Sequence, residues 1–171
     1  LGGKAEYAIS GGAPLGDRLG HFYRGIGFNV LEGYGLTETT AALTANTVAQ
    51  QRIGTVGVPF PGVEVRVADD GELQFRGPQV FQGYWNFEAA TADVLDADGW
   101  FSTGDLGEIT EDGFVKITGR KKEIIVTAGG KKISPANLEA ALKMIPLVGQ
   151  ACAIGDRRPF VSALVVLDPD T

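Results

Sequence analysis

Near its start the chain sets a strand, a helix and a second strand within about 25 residues, and that spacing admits few folds. Residues 4–10 read as the first strand, and Gly11-Gly12-Ala13-Pro14 turns the chain. Leu15, Leu19, Phe22 and Ile26 then recur at helical spacing, predicting an amphipathic helix over residues 16–24 that Gly25 and Gly27 end. Residues 28–31 form the second strand. Elements this close together make a βαβ unit, with parallel strands and a right-handed crossover. Ligands of such sheets sit beyond the carboxyl ends of the strands. Here those ends are residues 10–14 and 32–40, both glycine-bearing loops predicted to lie at one edge.

From Arg52 onward the pattern changes to short alternating strands. Residues 63–67 and 72–76 flank Asp69-Asp70-Gly71, a strong hairpin signal. Residues 108–110 and 114–118 flank Glu111-Asp112-Gly113 in the same way, and residues 87–95 predict a short helix between the hairpins. In the last part Ser134 is an N-cap candidate and Pro135 suits the first helical position. Leu138, Ala141, Leu142 and Ile145 continue as an apolar helical stripe. Residues 148–154 and 161–167 pair as strands across residues 155–159. The fold class is therefore α/β with a β-rich subdomain.

Twenty-five of the 171 residues are glycine, about twice the usual share of ~7%, and without a repeat they serve turns and ligand-approach loops. A net charge of −6 denies the chain the basic face that nucleic acid requires. Cys152 is alone, so no internal disulfide forms; its apolar strand predicts a buried thiol and a cytoplasmic protein. No apolar run approaches the roughly 18 residues of a membrane span.

Three stretches carry residue types suited to chemistry. In Gly33-Tyr34-Gly35-Leu36-Thr37-Glu38-Thr39-Thr40, glycines flank an aromatic ring that can offer its face to a flat heterocycle. The Thr37 hydroxyl can bond a phosphate oxygen, and the Glu38 carboxylate can hold magnesium beside it. A loop with an N-capping Thr and a helix-start Glu fits the same residues. Asp105, among Gly104 and Gly107, can accept two hydrogen bonds, as from the vicinal hydroxyls of a ribose. An Asp in a tight glycine turn fits as well. The third stretch runs from Gly119-Arg120-Lys121-Lys122-Glu123 to Thr127-Ala128-Gly129-Gly130-Lys131-Lys132, whose basic pair also suits a solvated turn. His21 reads as a surface residue, Trp85 and Trp100 as packing anchors, and Asp93, Asp96 and Asp98 as an acidic turn without calcium-loop spacing.

Taken in order, Tyr34-Gly35-Leu36-Thr37-Glu38, Gly99-Trp100-Phe101-Ser102-Thr103-Gly104-Asp105 and Gly119-Arg120-Lys121-Lys122-Glu123-Ile124-Ile125 resemble the adenylate-forming acyl-CoA synthetases. Gly11-Gly12-Ala13-Pro14-Leu15 is similar to the family's substrate-side loop, and Gly83-Tyr84-Trp85 to its β-rich subdomain. Thr127 through Lys131 resembles the long-chain fatty acid–CoA ligase branch. The resemblance implies a two-step reaction: a fatty acid attacks the α-phosphate of ATP to give acyl-AMP, and CoA then displaces AMP. Tyr34 and Gly35 would meet adenine, Thr37 the α-phosphate, Glu38 magnesium, Asp105 the ribose hydroxyls, and Arg120 the ribose or phosphate. Gly11, Gly12 and Ala13 would line the adenine and acyl pocket. Gly129, Gly130 and Lys131 would line the pantetheine path, with Lys131 and Lys132 suited to CoA phosphates or to plain solvent.

Lys122 matches the family's hinge, at which a small C-terminal domain rotates between half-reactions. The implied boundary divides residues 1–119, the end of the large domain, from 120–171, the start of the small α+β domain. The family's Pro-Lys-Gly phosphate loop and its Gly-Lys motif are not among the 171 residues, so the chain is expected to be a fragment that cannot complete adenylation alone. A fatty acyl-AMP ligase serving a carrier protein is the nearest rival. The short interval between Thr40 and Gly54 leaves little room for that group's insertion. A non-catalytic nucleotide-binding module is the alternative of another class. Peripheral membrane contact and a homo-oligomer both remain open.

Overall fold

The computed structural model describes residues 3–169 and divides into two compact units. The first holds the chain up to Thr103 and Gly107–Ile117; the second holds Gly104–Leu106 and the chain from Thr118. Residues 1–2 and 170–171, the ends of the two predicted domains, lie outside the described residues.

The βαβ unit forms as the spacing demands. β1 (Tyr7–Ser10) and β2 (Asn29–Gly35) run parallel, with Tyr7 opposite Asn29 and Ser10 opposite Glu32, and α1 (Asp17–Gly25) crosses between them. Two details differ from expectation. The stripe of Leu19, Phe22 and Ile26 is exposed, and the helix instead packs through Gly20, where an added Cβ would lie 2.7 Å from the Ile53 side chain. The glycine turns about 100° away from the stripe and lets the helix backbone come close, so proximity decides the packed face. Also, β2 does not stop at Leu31 but runs through Gly33-Tyr34-Gly35. Antiparallel pairing with β3 (Ala42–Ala45) extends it, and any side chain on Gly35 would collide with the Ala41 backbone. β4 (Val58–Pro59) completes a sheet of order β1-β2-β3-β4.

The second sheet has the order β5-β6-β7-β8. β5 (Glu64–Val67) and β6 (Glu72–Arg76) make the predicted hairpin, with Glu64 opposite Arg76, and Gly71 takes the left-handed conformation at φ 90°. α2 (Glu88–Val94) precedes β7 (Phe101–Ile109) and β8 (Val115–Arg120). The core of the first unit gathers Leu43, Val63, Leu73, Phe75 and Val115, with Tyr34 and Phe60 against it. Burying each such Leu or Phe is worth about 1.5–3 kcal/mol. The Arg66 and Arg76 guanidiniums both lie over the Trp100 ring, 4.1 and 4.8 Å from its centre. Trp85 does not anchor anything: it is 87% exposed.

Asp105 does not sit in a glycine turn. β7 runs straight through it, with Gly104 absorbing a local φ of 75°, and Gly107 lying so close to Leu73 and Lys116 that a side chain has no room. β7 and β8 contribute to both units.

In the second unit β9 (Ile125–Val126) and β10 (Lys132–Ile133) form a small hairpin. α3 (Pro135–Lys143) packs on β11 (Val148–Ile154), where Glu139 Oε1 accepts the Ala153 N–H at 2.9 Å. β11 pairs with β12 (Ser162–Leu167), which is exposed along its length. Pro135 opens α3 as expected, but Ser134 makes no side-chain cap: its Oγ is buried beside Gly119 with no hydrogen-bond partner. Cys152 is exposed, contrary to expectation, because α3 covers the face of β11 that holds Ala151 and Ala153, and strand alternation turns Cys152 away.

Candidate functional site

The carboxyl ends of β1 and β2 enclose a cleft of about 220 Å³ in the first unit, lined by Ser10, Gly11, Gly12, Tyr34, Gly35 and Ala42 among others. Gly12 takes φ 80°, and the closeness of Gly11 to the Gly33 carbonyl, 3.5 Å from an ideal Cβ, keeps this wall thin. Ala13 is exposed beside it. The Tyr34 ring is backed by Phe75, with centroids 5.8 Å apart and planes tilted 36°. A core contact thus fixes the orientation of the ring of a residue that lines the cleft.

Glu32 stands at the base of this edge. Its Oε1 accepts the Leu15 N–H at 3.0 Å, tying the loop after β1 to β2. Burial pushes its carboxyl above the ordinary carboxylate value; the Leu15 bond opposes that rise and the nearby Asp17 charge adds to it.

Beyond Gly35 the chain enters a single 3-10 turn, Thr37–Thr39. Thr39, fully buried, pins it: its hydroxyl accepts the Leu36 N–H at 2.9 Å, and its one proton has the Leu36 and Ala41 carbonyls within reach at 3.0 and 2.9 Å. Thr37 is left exposed at the first position and Glu38 half-buried at the second. Glu38 is gripped twice. Its carbonyl accepts the Phe81 N–H at 2.7 Å, and its Oε1 accepts the Tyr84 hydroxyl at 2.8 Å. That bond to a carboxylate raises the Tyr84 hydroxyl above the usual tyrosine value, so it stays a donor. Among the described residues no three His, Cys, Asp or Glu side chains gather as a metal site. Glu38 is the carboxylate of this turn that would hold a magnesium ion, whose charge would offset that of nucleotide phosphates.

In the second unit Asp105 and Arg120 meet. Arg120 Nε donates to Asp105 Oδ1 at 3.0 Å, with the Asp105 side chain 6% and the Arg120 side chain 55% exposed. The Lys121 N–H donates to the Gly104 carbonyl at 2.8 Å, tying the end of β8 to the middle of β7 beside this pair. Lys122 follows in an exposed turn. Gly129, Gly130 and Lys131 form the turn of the β9–β10 hairpin, where Thr127 bonds Lys131 through both backbone and hydroxyl and Gly130 takes φ 79°.

The predicted residues therefore group by unit: the Gly11, Gly12, Tyr34 and Gly35 cleft with the Thr37–Glu38 turn in the first, and Asp105, Arg120, Lys122, Gly129, Gly130 and Lys131 in the second. Sequence reasoning missed Tyr84 and Thr39 as partners of the turn. For Tyr84 the only local signal is its glycine neighbour Gly83, held at φ 141°.

Residues 1–85 match the family model described as AMP-binding enzyme, and residues 122–171 match its C-terminal domain model. Long-chain-fatty-acid–CoA ligase FadD15 of Mycobacterium bovis is 57% identical over 99% of this chain and 28% of its own length. O-succinylbenzoate coenzyme A synthetase (MenE) from Bacillus subtilis, in complex with the acyl-adenylate intermediate OSB-AMP, superposes with a TM-score of 0.86 and 29% identity. That match covers 95% of this chain and 36% of MenE. The same enzyme in complex with ATP and magnesium ion gives 0.83 and 30%, over 94% of this chain and 36% of that one. The chain thus spans 28% of the length of the first relative, and its mixed α/β fold is that of the adenylate-forming enzymes. It belongs to the AMP-binding enzyme family, in the branch that holds the long-chain fatty acid–CoA ligases.

Proposed function

We propose that the whole protein is an AMP-forming long-chain fatty acid–CoA ligase, with residues 1–119 ending its large domain and residues 120–171 opening a small mobile one. Support for the substrate class comes from the 57% identity to a protein named long-chain-fatty-acid–CoA ligase. The observation that carries the nucleotide reading is one continuous strand and turn, β2 into Thr37–Thr39. Tyr34 and Gly35 line the cleft, and Thr37 and Glu38 follow them directly in the chain.

In this reading a carboxylate oxygen of the fatty acid attacks the α-phosphorus of ATP, forming the acyl–phosphate bond as pyrophosphate leaves. The CoA sulfur then attacks the acyl carbonyl, its proton is lost, and AMP departs. Such chemistry needs positioning and charge neutralisation more than a protein nucleophile. Tyr34 orients adenine, Gly11, Gly12 and Ala13 admit it and the acyl group, and Thr37 donates to the α-phosphate. Asp105 accepts the ribose hydroxyls, with Arg120 beside it. Magnesium, held by Glu38, neutralises phosphate charge when bound. Lys122 is the hinge of the domain rotation, and Gly129, Gly130 and Lys131 border the path of CoA. The protein acts in the cytoplasm, with peripheral membrane contact when it draws on long-chain substrates; among the described residues no helix is long and apolar enough to cross a membrane.

Thioester formation by the whole protein, measured over acids from acetate to palmitate and benzoate, tests the assignment. Palmitoyl-CoA as the preferred product is the expected result. A preference for acetate or benzoate, or acyl-AMP accumulating untouched by CoA, would overturn it.

A further inference from the structure

Glu38 owes its orientation to a segment 41–46 residues further along the chain. The backbone of its turn is clamped by that segment: Phe81 N–H donates to the Glu38 carbonyl at 2.7 Å, and the Thr40 hydroxyl donates to the Gln79 carbonyl at 3.2 Å. The side chain is held separately, by the Tyr84 hydroxyl on Oε1 at 2.8 Å. Tyr84 is itself held by two contacts. Its N–H donates to Thr91 Oγ1 at 2.9 Å, and its ring packs edge-on to Phe81 at 4.8 Å, with Phe81 resting on Phe101 at 5.6 Å. Preceding it, Gly83 takes φ 141°, and a Cβ there would lie 2.7 Å from the Thr91 side chain, so the approach is open to glycine alone. A glutamate on a short turn would otherwise sample many rotamers. Here one carboxylate oxygen is engaged by a rigid donor, while Oε2 has no protein hydrogen bond among the described residues.

We propose that Tyr84 is a positioning residue for nucleotide-bound magnesium: its hydroxyl holds Glu38 so that Oε2 faces the cation. The inference rests on the proposed role of Glu38 in holding magnesium. Partners that orient a metal ligand in this way typically govern metal affinity by 10–100-fold.

The test is calorimetric binding of ATP to the whole protein, once with excess magnesium and once in EDTA. Tyr84→Phe deletes one oxygen and keeps the ring contacts, so its melting temperature is expected to match the wild type. Its affinity for metal-free ATP should stay within about twofold, while the gain in affinity conferred by magnesium falls about tenfold. Glu38→Gln should lose that gain as well, and the double variant should lose no more than Glu38→Gln alone, since the two residues act through one bond. If Tyr84→Phe keeps the magnesium gain while Glu38→Gln loses it, or if the two losses multiply in the double variant, the inference is overturned and the Glu38 assignment stands. If Glu38→Gln keeps the gain, the Glu38 assignment itself fails and Tyr84 falls with it.

Discussion

Replacing Asp105 with alanine separates nucleotide recognition from folding. The residue is only 4% exposed and already accepts the Arg120 Nε–H at 3.0 Å. A carboxylate offers about four acceptor positions, which suits it to more than one donor at once. Each hydrogen bond to a charged acceptor contributes about 1.5–3 kcal/mol. At 1.4 kcal/mol per tenfold, losing one such bond weakens ATP binding by about 10- to 150-fold, and losing two by more. The cost to stability is smaller, about 2 kcal/mol or less, because the Arg120 side chain is 55% exposed and water reaches it. Calorimetric titration of ATP into the whole protein reads the first quantity and thermal unfolding the second. Asp105→Asn, which keeps the shape and one acceptor, should fall between the two. An Asp105→Ala protein that binds ATP within twofold of the wild type would remove Asp105 from the ribose and leave it a strand residue paired with arginine.

Three further outcomes are expected. Lys122→Pro, which restricts the exposed turn after β8, should leave acyl-AMP formation intact and slow thioester formation; an equal fall in both half-reactions, measured by single-turnover assay, would refute the hinge. Phe75→Ala should destabilise the first unit by about 3–5 kcal/mol in denaturant unfolding and loosen Tyr34, whose ring it backs; a cost below about 1 kcal/mol would contradict the core assignment. Glu32→Gln should remove a pH dependence. With its carboxyl raised by burial, the folded chain binds more protons than the unfolded chain between the ordinary value of 4.5 and the raised one, so this group's contribution to stability falls as pH climbs through that window. The glutamine keeps an acceptor for the Leu15 N–H, so unfolding followed across pH should lose that slope; an unchanged slope would show that Glu32 is not its source.

Local signals read well wherever local physics decides. Asp69-Asp70-Gly71 names its own hairpin because only glycine is at ease at φ 90°, and Pro135 names the start of α3. The βαβ unit follows from spacing alone. Failures occur where a distant neighbour decides. Glycines around Asp105 look like a turn, yet Gly107 is there because Leu73 and the Lys116 carbonyl press against it inside a sheet. The stripe on α1 looks like the packed face, yet Gly20 permits the closer approach to Ile53. Cys152 and Ala153 are equally at home in an apolar strand, and only the placement of α3 separates exposed from covered. Among the candidate residues, Tyr34, Thr37, Glu38, Asp105 and Arg120 stand out in the sequence by residue type and motif order. The Asp105–Arg120 pair, the core backing of Tyr34 by Phe75, and the Tyr84 hold on Glu38 are not, because each joins residues far apart in sequence through tertiary geometry.

A whole protein that activates long-chain acids by adenylation will catalyse isotope exchange between pyrophosphate and ATP. With palmitate present and CoA absent, exchange should be rapid, stop when the acid is omitted and be lost in Glu38→Gln. Exchange independent of palmitate, or thioester formation with release of ADP and phosphate and no exchange at all, would contradict that activity.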